Sequence, residues 1–236
     1  MQKSKSYKML IFLDTETTGL EKSDKIISIA LIAIENSEVI IKNDLVNEGK
    51  KIPPKASSIN HITNEMIKNK PTLQESDTFK YLELNNIYDV TLISHNANFD
   101  LQMLNTNIGF SWQGKIIDTL RTSKHLMPDC EEFSLQYLRY DLKLYKKEKE
   151  KITPHDALSD VMVTRNLYES LLELASKEEL EDLSTKNVLM QKFEFGKYAG
   201  RYIEEISMID RGYLEWMLSN IMDLDEDLRY SIEYYL

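Results

Sequence analysis

The stretch MLIFLDTETTGL, Met9–Leu20, decides the fold prediction for this chain. Its first five residues are apolar without alternation, a pattern typical of a strand that is covered on both faces. Because alternate side chains of a strand share a face, we expect Asp14 and Glu16 on one side and Thr15 on the other. Two carboxylates at the edge of a core repel each other unless a cation lies between them. The pair is therefore either a solvated strand end or part of a metal site.

Further strands follow the first at short spacing. The β-branched, apolar runs IISIALIAI and VIIKNDLV predict two antiparallel neighbours. A loop through Pro53 and Pro54 is expected to enter a short helix capped at Thr63, and helical periodicity covers residues 72–88. Strands in DVTLISHNANFD and GKIIDTL and a long helix after Pro154 complete the pattern. The order β-β-β-α-β-α-β-α predicts an α/β fold with a mixed five-stranded sheet flanked by helices.

The last part of the chain has a pattern of its own. It begins with an acidic, helix-prone stretch. Phe193 and Phe195 then alternate before Gly196 and Gly200, a pattern that predicts a hairpin. Two helical segments follow the predicted hairpin. We therefore predict a larger domain over residues 8–182 and a small C-terminal α+β domain over residues 183–236. A length of 236 residues suits this division.

Composition narrows the class of protein. The single cysteine, Cys130, excludes an internal disulfide framework and a thiolate zinc site, and it fits a reducing compartment. No stretch approaches transmembrane length, and the N-terminal residues show no apolar signal segment. From these features we expect a cytoplasmic protein without a membrane partner.

The net charge of −10 speaks against binding of nucleic acid by a purely basic surface. Acids gathered around metal ions are an exception, because the cations turn an acidic pocket into a phosphate site. A lysine-rich segment precedes His155, and its lysines are Lys143, Lys146, Lys147, Lys149 and Lys151. This segment either guides phosphates or is a solvated loop balanced by Glu148 and Glu150.

Two further motifs carry acidic side chains. Asp100 closes SHNANFD just after a predicted strand, where it is either an active-site residue or a helix-dipole partner. His155 and Asp160 lie in PHDALSD, and on one continuous helix they would point roughly 140° apart. Pro154 and Asp156 are expected to start the helix, which leaves His155 at its mouth and Asp160 one turn inside.

Four carboxylates, Asp14, Glu16, Asp100 and Asp160, suit hard cations such as Mg²⁺ or Mn²⁺ better than zinc. Two such ions roughly 3.5–4 Å apart activate a water and stabilise the leaving oxygen of a phosphodiester. A base for that water is still needed, and His155 can take a proton near neutral pH. We therefore predict that His155 and the four acids are catalytic, and that the four acids bind two metal ions.

The motifs DTETTG, HNANFD and HDALSD together resemble those of the DnaQ-like 3′→5′ exonucleases of the ribonuclease H-like fold, in the DEDDh subgroup whose last motif carries a His. The segment INHIT, Ile59–Thr63, is similar to the one that lies against the 3′-terminal nucleotide in that family. FGKYAGRYIEEI and YLEWML are similar to the small tail domain of exodeoxyribonuclease X, and they depart from the polymerase-tethering segment of the proofreading subunit. The resemblance implies a stand-alone DNA exonuclease in DNA repair that releases nucleoside 5′-monophosphates from single-stranded or frayed 3′ ends.

Substrate contacts are predicted for a short set of residues: Thr15, Leu20, His61, Ile62 and Asn96. Leu20 follows the turn after the metal strand, so it can pack against the last base, and His61 can reach a sugar or phosphate. For Leu20 and Ile62 an ordinary core position is an equally open interpretation.

Three alternatives to a DNA exonuclease stay open at this point. An RNA 3′-end trimming enzyme of the same superfamily would carry the same catalytic residues, since sugar choice depends on contacts to the 2′ position. A metal-free nucleic-acid-binding module would have no need for His155. A polymerase-associated proofreading subunit would co-purify with a polymerase.

Overall fold

A computed structural model of the chain describes residues 9–148 and 151–236. Five strands form one sheet, and they are β1 (Leu10–Thr17), β2 (Ile26–Glu35), β3 (Glu38–Leu45), β4 (Thr91–Ser94) and β5 (Lys115–Asp118). Their order is β3-β2-β1-β4-β5. β2 is antiparallel to β1 and to β3, whereas β4 is parallel to β1 and to β5. The predicted mixed five-stranded sheet and its antiparallel start are confirmed.

The helices of the described residues are α1 (Pro54–Asn60), α2 (Asn64–Ile67), α3 (Asp77–Leu84), α4 (Ala97–Ile108), α5 (Thr119–Leu126), α6 (Leu135–Asp141), α7 (Ala157–Leu171), α8 (Lys177–Leu183), α9 (Ile203–Ile209), α10 (Arg211–Asn220) and α11 (Glu226–Tyr235). Short 3₁₀ turns cover Leu73–Glu75 and Leu144–Lys147. None of these helices is long and apolar enough to cross a lipid bilayer.

Helices cover both faces of the sheet. Side chains of α3 and α4, among them Phe79 and Met103, join Ile11 and Leu13 in the main apolar cluster. On the opposite face α7 packs against β1 and β2, and the rings of Phe12 and Tyr168 meet edge to face at 5.5 Å. β1 is therefore covered on both faces, as its run of apolar residues predicts.

Two local predictions are wrong. The segment after Pro53 is not a loop, because Pro54 occupies the first helical position of α1, where its missing N–H is tolerated and its φ angle suits the helix. The periodic stretch 72–88 is not one helix either. Ser76 is extended there (φ −67°, ψ 147°), so that a 3₁₀ turn precedes α3, and α3 ends at Leu84. The predicted cap at Thr63 is confirmed, since its side chain accepts the N–H of Met66.

The chain divides into two compact units. The N-terminal unit comprises the described residues of 1–122 and 131–184, and the C-terminal unit comprises residues 123–130 and 185–236. The sequence pattern does not indicate that residues 123–130 group with the C-terminal unit. That unit has an apolar cluster of its own, which includes Phe193, Ile203, Leu214, Leu228 and Ile232. Where a hairpin is predicted, it has an isolated antiparallel bridge between Lys192 and Tyr202.

Gly114 lies in the loop before β5 at a point where main chains approach closely. A Cβ atom there would lie 2.8 Å from the carbonyl oxygen of Ile87 and closer still to that of Val90. We expect Gly114→Ala to lower the free energy of unfolding by roughly 1–3 kcal/mol, because neither carbonyl is the end of a flexible side chain. Urea unfolding followed by far-UV circular dichroism measures the effect.

Gly212→Ala is the matched control. Gly212 lies in α10, and a Cβ atom would meet no heavy atom within 4 Å. Here the same change should raise the free energy of unfolding by about 0.5–1 kcal/mol, because alanine loses less backbone entropy in a helix. Equal effects of the two substitutions would contradict the close approach at Gly114.

Candidate active site

The end of β1 places two carboxylates at the edge of the sheet. Asp14 and Glu16 are half-buried, and Thr15 between them is buried. This alternation follows from the period of the strand, as the sequence predicts. The pairing of β1 with β2 shifts register between Glu16 and Thr17, so the regular ladder ends directly after the second acid.

Asp100 reaches the same edge from the neighbouring parallel strand. It lies in the first turn of α4, which follows β4, and its carboxylate is buried. Its Oδ1 accepts a hydrogen bond from the Thr15 hydroxyl at 2.7 Å, and its Oδ2 accepts one from the Ser94 hydroxyl at 2.6 Å. The two hydroxyl groups fix the orientation of this carboxylate.

The start of α7 brings the last pair of groups to the site. Asp156 caps the helix, and its side chain accepts the N–H of Ser159, so the predicted helix start is confirmed. His155, just outside, is exposed and has a left-handed backbone with φ 58°. Its main-chain N–H donates to Oδ2 of the buried Asp160 at 3.0 Å. The Gln136 amide donates to Oδ1 of the same carboxylate at 2.7 Å.

Burial and, to a smaller extent, repulsion by neighbouring carboxylates raise the pKa values of all four acids. Burial raises the pKa of Asp14 well above its usual range, and the charges of Asp100, Asp160 and Glu16 raise it further. Burial, followed by the charge of Asp160, raises the pKa of Glu16 to about 8. Burial also raises the pKa values of Asp100 and Asp160 to about 6. Such a group of carboxylates is stable in its ionised form only with cations close by.

Three of the predicted catalytic groups form a tight cluster. One ligand atom each of Glu16, His155 and Asp160 lies within 4.8 Å of the other two. Asp100 lies close enough to Asp14 and to Glu16 for its charge to raise the pKa values of both. The carboxylate oxygens of this group fit a divalent cation of the Mg²⁺ or Mn²⁺ type, and the imidazole lies beside them.

Three of the predicted substrate residues have exposed side chains. Leu20 is 83% exposed, so the alternative of a core position is wrong for it. His61 and Asn96 are exposed and have left-handed backbones with φ 60° and 69°. Non-glycine residues seldom adopt this conformation, which here occurs at the C-cap of α1 and the N-cap of α4.

The side chains of the other two predicted substrate residues make contacts within the protein. Thr15 is buried and its hydroxyl is held by Asp100, so the structure does not present that hydroxyl to a substrate. Ile62 is 6% exposed and packs in a small apolar cluster with Ile27 and Ile52, which favours its interpretation as a core residue. The sequence does not reveal that Thr15 bonds the distant Asp100. It also does not reveal that Ile62 packs against Ile27 and Ile52.

A cleft of about 490 Å³ opens beside the start of α7. Its lining includes His61, Lys151 and Asp156, and an edge of Ile62 also contributes. The cleft therefore joins the INHIT segment to the residues that flank His155. Sequence spacing alone could not place these two segments side by side.

The lysines of the lysine-rich segment are exposed where the structure describes them, although Leu144 among them is buried. Lys143, Lys146, Lys147 and Lys151 are exposed, and the Lys147 ammonium donates to the Ser170 hydroxyl at 3.2 Å. Lys149 lies outside the described residues, so the prediction for it has no structural counterpart.

Three polar residues near the site were missed by sequence reasoning. Asn60 is buried, donates to the carbonyl of Thr17, and forms a side-chain hydrogen bond that lowers the pKa of Glu16. Asp118 ends β5 and accepts four main-chain N–H groups, which holds the starts of α4 and α5. Its place at a strand end is a signal that could have been used. Gln136, the third, has no such signal in its own segment.

Comparison with known proteins gives two family matches. Residues 11–168 match the family model described as "Exonuclease", and residues 193–222 match the one described as "Exodeoxyribonuclease X-like C-terminal". The first match covers more than half of the 236 residues and contains all five predicted catalytic residues.

Individual relatives extend this picture. The chain is 29% identical over 231 residues to exodeoxyribonuclease 10 of Escherichia coli strain K12, covering 97% of this chain and 99% of the relative. It is 30% identical over 175 residues to the DNA polymerase III subunit epsilon of Treponema pallidum, covering 70% and 77%. The solved structure of exonuclease X in complex with 5′ overhanging duplex DNA superposes with a TM-score of 0.61 and 26% identity, covering 74% of this chain and 99% of that chain. The chain therefore belongs to the exonuclease family and is a 3′→5′ exonuclease similar to exodeoxyribonuclease X.

Proposed function

We propose that the chain removes nucleotides from DNA 3′ ends by metal-dependent phosphodiester hydrolysis, releases nucleoside 5′-monophosphates and acts in DNA repair. The observation that carries this proposal is the group of four carboxylates at the end of the sheet, with His155 within 4.8 Å of two of them. A purely structural role does not require four acids whose pKa values are all raised.

In this proposal Asp14, Glu16, Asp100 and Asp160 hold two divalent cations, Mg²⁺ or Mn²⁺. Bound ions would supply an activated water and charge stabilisation for the leaving oxygen. Thr15 and Ser94 orient one ligand, Asp100, through their hydroxyl groups. The His155 N–H and Gln136 do the same for Asp160.

His155 is proposed to accept the proton of the attacking water at a ring nitrogen. Its exposed position before α7 leaves the imidazole at the open side of the acids. The water oxygen forms a bond to phosphorus, the bond from phosphorus to the O3′ of the preceding nucleotide breaks, and the leaving O3′ takes a proton from solvent. The products are a nucleoside 5′-monophosphate and a strand shortened by one nucleotide.

DNA is favoured as substrate by the relatives. The E. coli relative is named an exodeoxyribonuclease, and the solved exonuclease X structure contains duplex DNA with a 5′ overhang. We propose that Leu20, His61 and Asn96 contact the terminal nucleotide, that the cleft at His61 and Lys151 receives the strand, and that the exposed lysines attract it. RNA trimming is the alternative, since none of these contacts distinguishes the 2′ position.

We further propose that residues 8–182 form the exonuclease domain and that residues 183–236 form the small second domain. The family matches, at residues 11–168 and 193–222, fall one within each proposed domain.

The first test is digestion of matched DNA and RNA oligonucleotides labelled at the 5′ or the 3′ end. We expect 5′-labelled DNA to shorten stepwise in the presence of Mg²⁺ or Mn²⁺ and to stay intact with a chelator. Asp14→Asn should reduce the rate by on the order of 10²-fold or more, because a metal ligand is lost while the shape is kept. Product analysis by gel and chromatography gives direction, sugar choice and product together.

Asp89→Asn is the matched control, because Asp89 is exposed in the loop before β4, at the opposite end of that strand from Asp100. It should digest DNA like the wild type. Faster digestion of RNA than of DNA would make RNA trimming the function. Full activity of Asp14→Asn would contradict the assignment of Asp14 as a metal ligand.

His155→Ala tests the proton acceptor. We expect the single-turnover rate to fall by roughly 10²–10⁴-fold, the usual contribution of a positioned base, with DNA affinity and Mn²⁺ affinity unchanged. Quench-flow cleavage and separate binding titrations measure these quantities. His125→Ala, an imidazole of the C-terminal unit, is the control. Weaker Mn²⁺ binding by His155→Ala would instead identify His155 as a metal ligand.

The raised pKa values predict how the stability of metal-free protein depends on pH. Below the folded-state pKa values, about 6 for Asp100 and Asp160 and about 8 for Glu16, the folded chain holds protons that the unfolded chain has released. The free energy of unfolding should therefore fall as pH rises from about 5 to about 9. Urea unfolding in chelator measures this slope. Saturating Mn²⁺ should flatten this slope, and a slope of opposite sign would contradict the raised pKa values of these buried acids.

A further inference from the structure

Gln136 lies on α6 and links a series of polar side chains to the active site. It is the second residue of α6, and its amide nitrogen donates to Oδ1 of Asp160 on α7 at 2.7 Å. The other oxygen of Asp160 accepts the main-chain N–H of His155. Each oxygen of this carboxylate therefore has one protein donor, and its remaining lone pairs stay available.

The neighbour on the other side of Gln136 fixes which way its amide points. Its Oε1 accepts a hydrogen bond from Nη1 of Arg139 at 3.2 Å. A guanidinium only donates and an ionised carboxylate only accepts. Between Arg139 and Asp160, one amide orientation satisfies both partners, and the flipped one would set like groups against each other.

Arg139 is itself held in a buried ion pair. Its Nε and Nη2 donate to the two oxygens of Glu148, both at 2.7 Å, and both side chains are 8% exposed. A bidentate pair of this kind keeps the planar guanidinium in one orientation. The order Glu148, Arg139, Gln136, Asp160 is thus a continuous series of hydrogen bonds that ends at a proposed metal ligand.

We propose that Gln136 is a positioning residue of the metal site, which holds the Asp160 carboxylate in the orientation that metal binding requires. This inference rests on the proposed function, because it takes Asp160 to be a ligand. Gln136 also lines an open cleft of about 560 Å³ with Tyr137 and Tyr140. An apolar side chain would fit a partly exposed helix position there equally well, so packing gives no reason for an amide.

The test measures Mn²⁺ binding by the full chain without DNA, using isothermal titration calorimetry, alongside steady-state digestion of DNA. Gln136→Met keeps the length of the side chain and removes the donor. We expect its Mn²⁺ affinity to fall by about 10–100-fold, as is typical when an outer partner of a metal ligand is lost. We also expect kcat to fall while KM for DNA stays unchanged.

Gln113→Met is the matched control, since Gln113 is exposed in the loop before β5 and its side chain donates to the nearby Ser111 carbonyl. It should bind Mn²⁺ like the wild type. Gln136→Asn keeps an amide but withdraws it by one methylene, so it should lose affinity nearly as strongly as Gln136→Met. This second variant decides the question by the same titration if Gln136→Met does not fold.

A folded Gln136→Met or Gln136→Asn protein with the Mn²⁺ affinity and kcat of the wild type would overturn the inference while leaving the proposed function intact. Failure of the wild type itself to bind Mn²⁺ would overturn both together. An equal fall of kcat and DNA affinity with unchanged Mn²⁺ binding would assign Gln136 to the substrate and would also overturn the inference.

Discussion

Repulsion between four carboxylates in one small volume is the constraint on which the rest of this structure depends. β1 supplies two of them from the middle of the sheet, and its parallel neighbour β4 leads to the third. The fourth, Asp160, comes from α7, which lies on the face of the sheet opposite to α4. The surrounding hydroxyl, amide and main-chain donors hold these acids in place, but they do not neutralise them. The folded chain is therefore stable with these acids ionised only when a cation lies close to them, and otherwise it holds protons there.

The parts of the site that depend on local periodicity could be predicted from the sequence. Asp14 and Glu16 share a face because strand geometry requires it, and Asp156 caps α7 because its side chain can accept a main-chain N–H of the first turn. The parts that depend on distant partners could not. The hydroxyl of Thr15 bonds Asp100, 85 positions away, and Gln136 bonds Asp160, 24 positions away. No pattern within either segment carries that information.

Positively charged side chains differ in how they are paired in the two parts of this acidic chain. In the C-terminal unit, Lys197 pairs with Asp210 at 2.9 Å and Arg211 pairs with Glu215 at 3.0 Å. Those cations are engaged within their own unit. Attraction of a phosphate backbone is then expected of the exposed lysines that precede α7, where the charge acts close to the acids and is sensitive to salt.

The left-handed backbones of His61, Asn96 and His155 have a consequence for how the protein can evolve. Each such residue costs roughly 1–3 kcal/mol relative to a relaxed conformation, and glycine would avoid that cost. Glycine would also remove the imidazole or amide on which the role proposed for each residue depends. At these three positions the stability of the backbone and the proposed function of the side chain therefore favour different residue types.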